Sequence, residues 1–248
     1  LVLVDGAHAK MSPETLRKVI ARVGSGGVHG VQRGAVSITN ATENGTVYSA
    51  QQVWALAEVS KSYNLPVHMD GARFTNALVR AGCTPAEMTW KAGVDVLSFG
   101  GTKNGCMGVE AVVIFDPAKA WEFELRRKRG GHLFSKHRYL SAQMDAYLTD
   151  GLWLRLARAA NDQAQHLSQS ILSVPGASVL HPTEANAVFA AWPRAGHRRA
   201  MAAGARYNLL PGSQAMEGPD DEPLAARLVC SWSTTAADVD ALLTAIRG

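Results

Sequence analysis

The chain has 248 residues, 47% hydrophobic and 19% charged, with a net charge of +4, which suits one large or two medium globular domains around a substantial core. Its one dense basic run, Arg126-Arg127-Lys128-Arg129, has no interleaved aromatics, so nucleic acid is not an expected partner. No apolar stretch reaches the roughly 18 residues of a membrane helix, and three scattered cysteines without a CxxC suggest neither a disulfide framework nor a zinc site; a reducing cytoplasm is the expected compartment.

In chain order, "MSPETLRKVIARVG" predicts a helix with Ser12 as N-cap, Pro13 at the first helical position, and Leu16, Val19, Ile20 and Val23 on one face. "GAVSITN" predicts a strand of about six residues, and "SAQQVWALAEVSKSYN" a second helix with Ser49 and Gln52 at capping-box spacing. "LPVHMD" is the next strand, so strand, helix and strand form a parallel crossover. A short helix with Phe74, Ala77 and Leu78 on one side follows Asp70. "TPAEMTWKAG" opens another with a Thr84–Glu87 capping pair and stops at Gly93. "VDVLSF" is a further buried strand. "GGTKNGCMG" is too short for a crossover, so "VEAVVIF" after it is expected to run antiparallel.

These elements describe an α/β domain, residues 1–150, with a mixed, mostly parallel sheet and helices on its faces. Residues 139–174 read as helical with a break at Asp150 and Gly151, and "PGASVLHP" reads as a turn. The strands "NAVFAAW" and "ARLVCSW" and two helices then form a smaller C-terminal α+β domain, residues 151–248. Thr235 and Asp238 form a capping pair before the last helix.

Two strand ends carry the chemistry. Asp70 and Arg73 follow "PVHMD", and Lys103 follows "VDVLSF"; parallel strands would bring both to one edge of the sheet, where open α/β folds bind ligands. An acid and a lysine there, among Gly100, Gly101, Thr102 and Gly105, suit pyridoxal phosphate: the lysine forms a Schiff base with its aldehyde and the carboxylate keeps its ring nitrogen protonated. The glycines would let a flat ring approach the backbone. Taken singly, Asp70 reads more readily as a helix N-cap and Lys103 as an exposed turn lysine; together, with the glycines and Arg73, they favour the cofactor.

"HMDGARFTNAL" followed by "GVDVLSFGGTKNG" resembles the threonine aldolase family, pyridoxal-phosphate enzymes of aspartate-aminotransferase-type fold (fold type I). "RRKRGGHLFSKHRYLSAQMDAYLTDGLW" resembles its low-specificity L-threonine aldolase branch, and the likeness continues through "ARLVCSWSTTAADVDALL". The resemblance implies that Lys103 carries the cofactor, that Asp70 pairs with the pyridine nitrogen with Arg73 beside it in the cofactor site, and that Arg73 and Arg227 bind the substrate carboxylate or its immediate surroundings. For Arg227 a solvated strand residue is an equal reading. Residues 126–136 resemble a segment that reaches a cofactor phosphate across a subunit interface.

Many relatives carry a histidine where this chain has Glu43, so Glu43 is either the base for the substrate hydroxyl, if burial raises its pKa, or an ordinary loop acid. Nothing matches the family's phosphate-binding Gly-Thr turn or its ring-stacking histidine, and the chain opens on Leu1; an earlier N-terminal segment is expected to be missing. The implied activity is cleavage of L-threonine, L-allo-threonine and related β-hydroxy-α-amino acids to glycine and an aldehyde, by a homodimer or homotetramer. The alternatives are another pyridoxal-phosphate lyase (β-elimination, or an aldolase preferring phenylserine-type substrates) and a truncated, non-catalytic chain.

Other features read as structural. "GSGGVHG" follows a helix, not a strand, and is a helix-terminating loop and not a dinucleotide loop. His132 and His137, five residues apart, would diverge by about 140° on a helix, which argues against a shared metal. His68 reads as a packed strand-end histidine on the face that carries Asp70.

Overall fold

Val36–Thr39 (β1), Val67–Gly71 (β2) and Val96–Gly100 (β3) turn alternate side chains to a buried face, and they pair in parallel in that order. Glu110–Ile114 (β4) adds antiparallel to β3, as the short connection demands. In the computed structural model, residues 1–24, 27–213 and 215–248 are described. The chain forms two units, Leu1–Thr42 with Val47–Leu154, and Glu43–Thr46 with Arg155–Gly248.

In the first unit the helices are Pro13–Arg22 (α1), Ala50–Lys61 (α2), Phe74–Ala81 (α3), Pro85–Met88 (α4), Ala120–Arg129 (α5) and Arg138–Leu148 (α6). Their starts follow local chemistry. The Ser12 side chain accepts from the Thr15 N–H, and Ser49–Gln52 and Thr84–Glu87 form complete capping boxes. Gly93 ends a 3₁₀ turn at φ 91°, a left-handed position suited to glycine. Ile38, Val67, Met69, Leu97 and Phe99 are buried from the sheet, with Val53, Leu56, Phe74, Leu78 and Met88 from the helices. Burying each of these larger apolar side chains is worth roughly 1.5–3 kcal/mol. The opposite face of the same strands carries Ser37, Thr39, His68, Asp70 and Ser98, none of them fully buried.

The first strand is shorter than "GAVSITN" suggested. Asn40 turns its amide onto the next loop, donating to the Tyr48 carbonyl (3.2 Å) and accepting from the Tyr48 N–H (3.1 Å). The helix break at Asp150 and Gly151 is present, with both residues at positive φ (50° and 68°). Of "GSGGVHG", Ser25 and Gly26 lie outside the described residues.

The second unit takes most of Leu152–Ile171 (α7), and then Ser178–Val179 (β5), Ala187–Pro193 (β6), Arg194–Ala202 (α8), Asn208–Leu209 (β7), Pro223–Val229 (β8) and Ala236–Arg247 (α9). Its antiparallel sheet has the order β5-β6-β8-β7. Alternate residues of β6 and β8, including Val188, Ala190, Trp192, Ala226 and Leu228, share a core with Leu167 and Ile171 of α7 and Leu243 and Ile246 of α9. "PGASVLHP" contains β5 besides the turn; two residues pairing with Ala190 and Ala191 leave no pattern to read. The Thr235–Asp238 pair caps α9 as its spacing suggested.

Candidate active site

Parallel register places the acid. Asp70 lies opposite Thr39 on β1 and Ser98 on β3, one residue from the end of β2. Its Oδ1 accepts from the Ala72 N–H at 3.0 Å, while Oδ2 takes no hydrogen bond from the described residues. The carboxylate is half-buried. It does not cap the next helix: α3 begins at Phe74, and the N-cap position is held by Arg73, itself half-buried.

Beneath Asp70 on the same face, His68 bridges three strands. Its Nδ1 lies 2.8 Å from Ser37 Oγ and its Nε2 2.9 Å from Ser98 Oγ. The packed histidine is therefore part of a polar stripe that ends at Asp70.

Lys103 occupies a 3₁₀ turn, Thr102–Asn104, directly after β3. The backbone of this turn is held from several sides. The Gly101 carbonyl accepts from the N–H groups of Asn104 (3.1 Å) and Cys106 (3.2 Å). Thr102 Oγ1 donates to the Val109 carbonyl (3.3 Å) and accepts from the Val109 N–H (3.0 Å). The Asn104 side chain is buried and donates to Tyr147 Oη (2.5 Å) and to the Trp153 carbonyl (3.0 Å). Gly105, at φ 117°, reverses the chain where a side chain would be strained. The Lys103 side chain is exposed and makes no hydrogen bond or ion pair among the described residues. A fixed backbone thus presents a free amine.

Two of the neighbouring glycines serve chain packing. A Cβ on Gly100 would lie 2.6 Å from the Ala72 carbonyl oxygen, and one on Gly101 2.8 Å from that of Val109. These residues let the exits of β2 and β3 pack together. The close approach joins the Asp70 loop to the Lys103 turn.

The basic run lies on α5 and is largely engaged locally: Arg126 and Arg129 face Glu122 and Arg127 faces Glu124, at 2.7–3.8 Å. Exposed pairs of this kind contribute about 0.3–0.5 kcal/mol each. Arg127, His132 and His137 also line a concavity beside β4. Among the described residues no group of three or more His, Cys, Asp or Glu side chains could hold a metal ion, and no helix is long and apolar enough to cross a membrane.

The other two candidates belong to the second unit. Glu43 is exposed, at the start of the turn with Asn44 and Gly45. Arg227 lies on β8 between Phe189 and Asn208, with its Nε buried and without a hydrogen-bond partner. An unsatisfied buried donor of this kind costs about 1–3 kcal/mol, more than a solvated strand arginine would carry.

A model of the beta-eliminating lyase family matches residues 1–193. The chain belongs to this family. Within it the chain is 41% identical over 247 residues to a low specificity L-threonine aldolase of a Pseudomonas species, and 39% identical to one of Pseudomonas aeruginosa. Each alignment covers all of this chain and 68% of the relative. Among solved structures, a threonine aldolase of Leishmania major superposes with a TM-score of 0.86 at 23% identity, over 99% of this chain and 69% of that one. A putative L-allo-threonine aldolase of Listeria monocytogenes superposes with a TM-score of 0.72 at 13% identity, over 99% and 67%. The expected α/β fold of the type I pyridoxal-phosphate enzymes is thereby established, and with it the family resemblance.

Proposed function

We propose that the chain acts as a pyridoxal-phosphate-dependent carbon–carbon lyase. Its substrates would be L-threonine, L-allo-threonine and related β-hydroxy-α-amino acids, cleaved to glycine and an aldehyde. The observation that carries this reading is the pairing of Asp70 and Lys103 on the exits of two adjacent, parallel, in-register strands. The donor set fits the cofactor: among the described residues, a carboxylate with one oxygen fixed and one uncommitted, and an exposed amine without a competing anion. When bound, pyridoxal phosphate supplies an aldehyde for an amine and a ring that accepts the electron pair left at Cα.

The chain's own residues supply the rest. Lys103 presents its amine from a turn whose backbone is held by hydrogen bonds on several sides. Asp70 holds a proton at the ring nitrogen, and the Ala72 N–H fixes the direction of its carboxylate. Arg73, at the entrance of α3, offers a planar fork to a substrate carboxylate. Orienting that carboxylate decides which bond at Cα breaks, so arginine placement governs reaction choice. Arg227 as a second carboxylate ligand and Glu43 as the base for the hydroxyl proton rest on the family resemblance. So does a homodimeric or homotetrameric assembly, while a cytoplasmic location rests on the scattered, unpaired cysteines.

Adding pyridoxal phosphate, reducing with borohydride and mapping the labelled peptide tests this reading. Lys103 is expected to carry the label. Lys103→Ala should abolish threonine cleavage, and retained cleavage in that variant would end the proposal.

A further inference from the structure

We propose that Tyr147 is a positioning residue that clamps the Asp70 loop to the Lys103 turn. Tyr147 stands on α6, far in sequence from both, and is 2% exposed. Its hydroxyl meets two partners. Asn104, the residue after Lys103, donates to it from Nδ2 at 2.5 Å. Thr75, in the first turn of α3 and two residues after Arg73, lies 3.1 Å away through Oγ1. Asn104 offers one N–H to Tyr147 and the other to the Trp153 carbonyl. The hydroxyl thus accepts from Asn104 and shares a hydrogen bond with Thr75. Burial raises the tyrosine pKa, which keeps the phenolic proton in place.

The ring is seated as firmly as the hydroxyl. Phe99, at the end of β3, packs against Tyr147 (centroids 6.1 Å apart), against Phe74 of α3 (6.0 Å) and against Trp153 (5.8 Å). One buried group thus joins the element that follows the acid to the turn that holds the lysine. Buried polar groups of this sort are retained only when their hydrogen bonds are complete. Here both arms end beside candidate site residues. The clamp sets the separation and mutual direction of Asp70 and Lys103; this function rests on the cofactor reading above, whereas the clamp itself does not.

The test uses Tyr147→Phe, Thr75→Val and Asn104→Ala in the full chain, with pyridoxal phosphate as the probe. In the cofactor-free protein, hydrogen exchange at the Asn104 and Cys106 amides should accelerate about tenfold in Tyr147→Phe, the loss of one typical buried hydrogen bond. With pyridoxal phosphate bound, Lys103 should still take the borohydride-trapped label. The induced circular dichroism of the visible band should fall severalfold, because the ring is held less uniformly. Thr75→Val cuts one arm and Asn104→Ala the other together with the Trp153 bond; adding Thr75→Val to Tyr147→Phe should be no worse than Tyr147→Phe alone, because the hydroxyl that Thr75 meets is already gone.

Unchanged exchange and unchanged dichroism in Tyr147→Phe would overturn the proposal, as would strictly additive effects of Thr75→Val and Tyr147→Phe. Should Tyr147→Phe fail to fold, the nearly isosteric Thr75→Val reads the same dichroism. A parent protein that takes no label at Lys103 would remove the cofactor reading, while the exchange rates would still decide whether the clamp exists.

Discussion

Acidification should destabilise the second unit through His197. This imidazole is fully buried and stacks on Trp192, with ring centroids 3.8 Å apart and planes 9° from parallel. Its Nε2 lies 3.0 Å from the Leu224 carbonyl, which only accepts, so Nε2 carries the neutral ring's proton. Nδ1 then accepts from the Tyr207 hydroxyl at 2.9 Å. Protonating Nδ1 would bury a charge and abolish that acceptor. Burial drives the pKa from its usual 6.5 down to about 4, against the opposing pull of the Leu224 carbonyl. The folded pKa is depressed, so the unfolded chain binds the proton first. The stability tied to the neutral ring is complete above pH 6.5 and is lost as pH falls toward 4. The loss amounts to about 3 kcal/mol, a large share of the 5–15 kcal/mol typical of a domain. Urea unfolding of the parent and of His197→Gln, followed by circular dichroism between pH 7 and pH 4, measures it. The parent should lose about 3 kcal/mol more than the variant over that range. Equal slopes, or a His197 proton resonance titrating near 6.5, would refute the reasoning.

Gly100→Ala should lower the unfolding midpoint by several degrees, since overpacking against the Ala72 backbone costs about 1–3 kcal/mol. Gly108→Ala, with nothing within 4 Å of the added carbon, should leave the midpoint unchanged. If Glu43 is the base for the hydroxyl proton, Glu43→Gln should lower the threonine cleavage rate about 100-fold or more. Lys103 labelling should be unaffected, and an unchanged rate and pH profile would dismiss Glu43 from that role.

What was legible in the sequence was local or topological. Capping pairs at 49–52, 84–87 and 235–238 act within one turn of helix, so spacing alone reveals them. The antiparallel β4 follows from a connection too short to cross the sheet. The shared edge of Asp70 and Lys103 follows from parallel strands, because register carries one strand end to the next. Residues whose role depends on distant partners gave no such signal. Nothing in "QMDAYL" indicates that Tyr147 meets Asn104 and Thr75, separated from it by 43 and 72 positions. The glycines of "GGTKNG" suggested ring access, whereas tertiary packing against Ala72 and Val109 accounts for two of them.

That difference bears on the chemistry. A lysine whose turn is free to move would sample many directions relative to Asp70. Gly100 removes this freedom by bringing the two strand exits into backbone contact, and Asn104 removes it again through Tyr147. Both constraints act on the backbone and leave the exposed Lys103 amine without a partner among the described residues. On the proposed reading of Lys103, the surrounding contacts aim the amine and none of them opposes the bond that the amine would form.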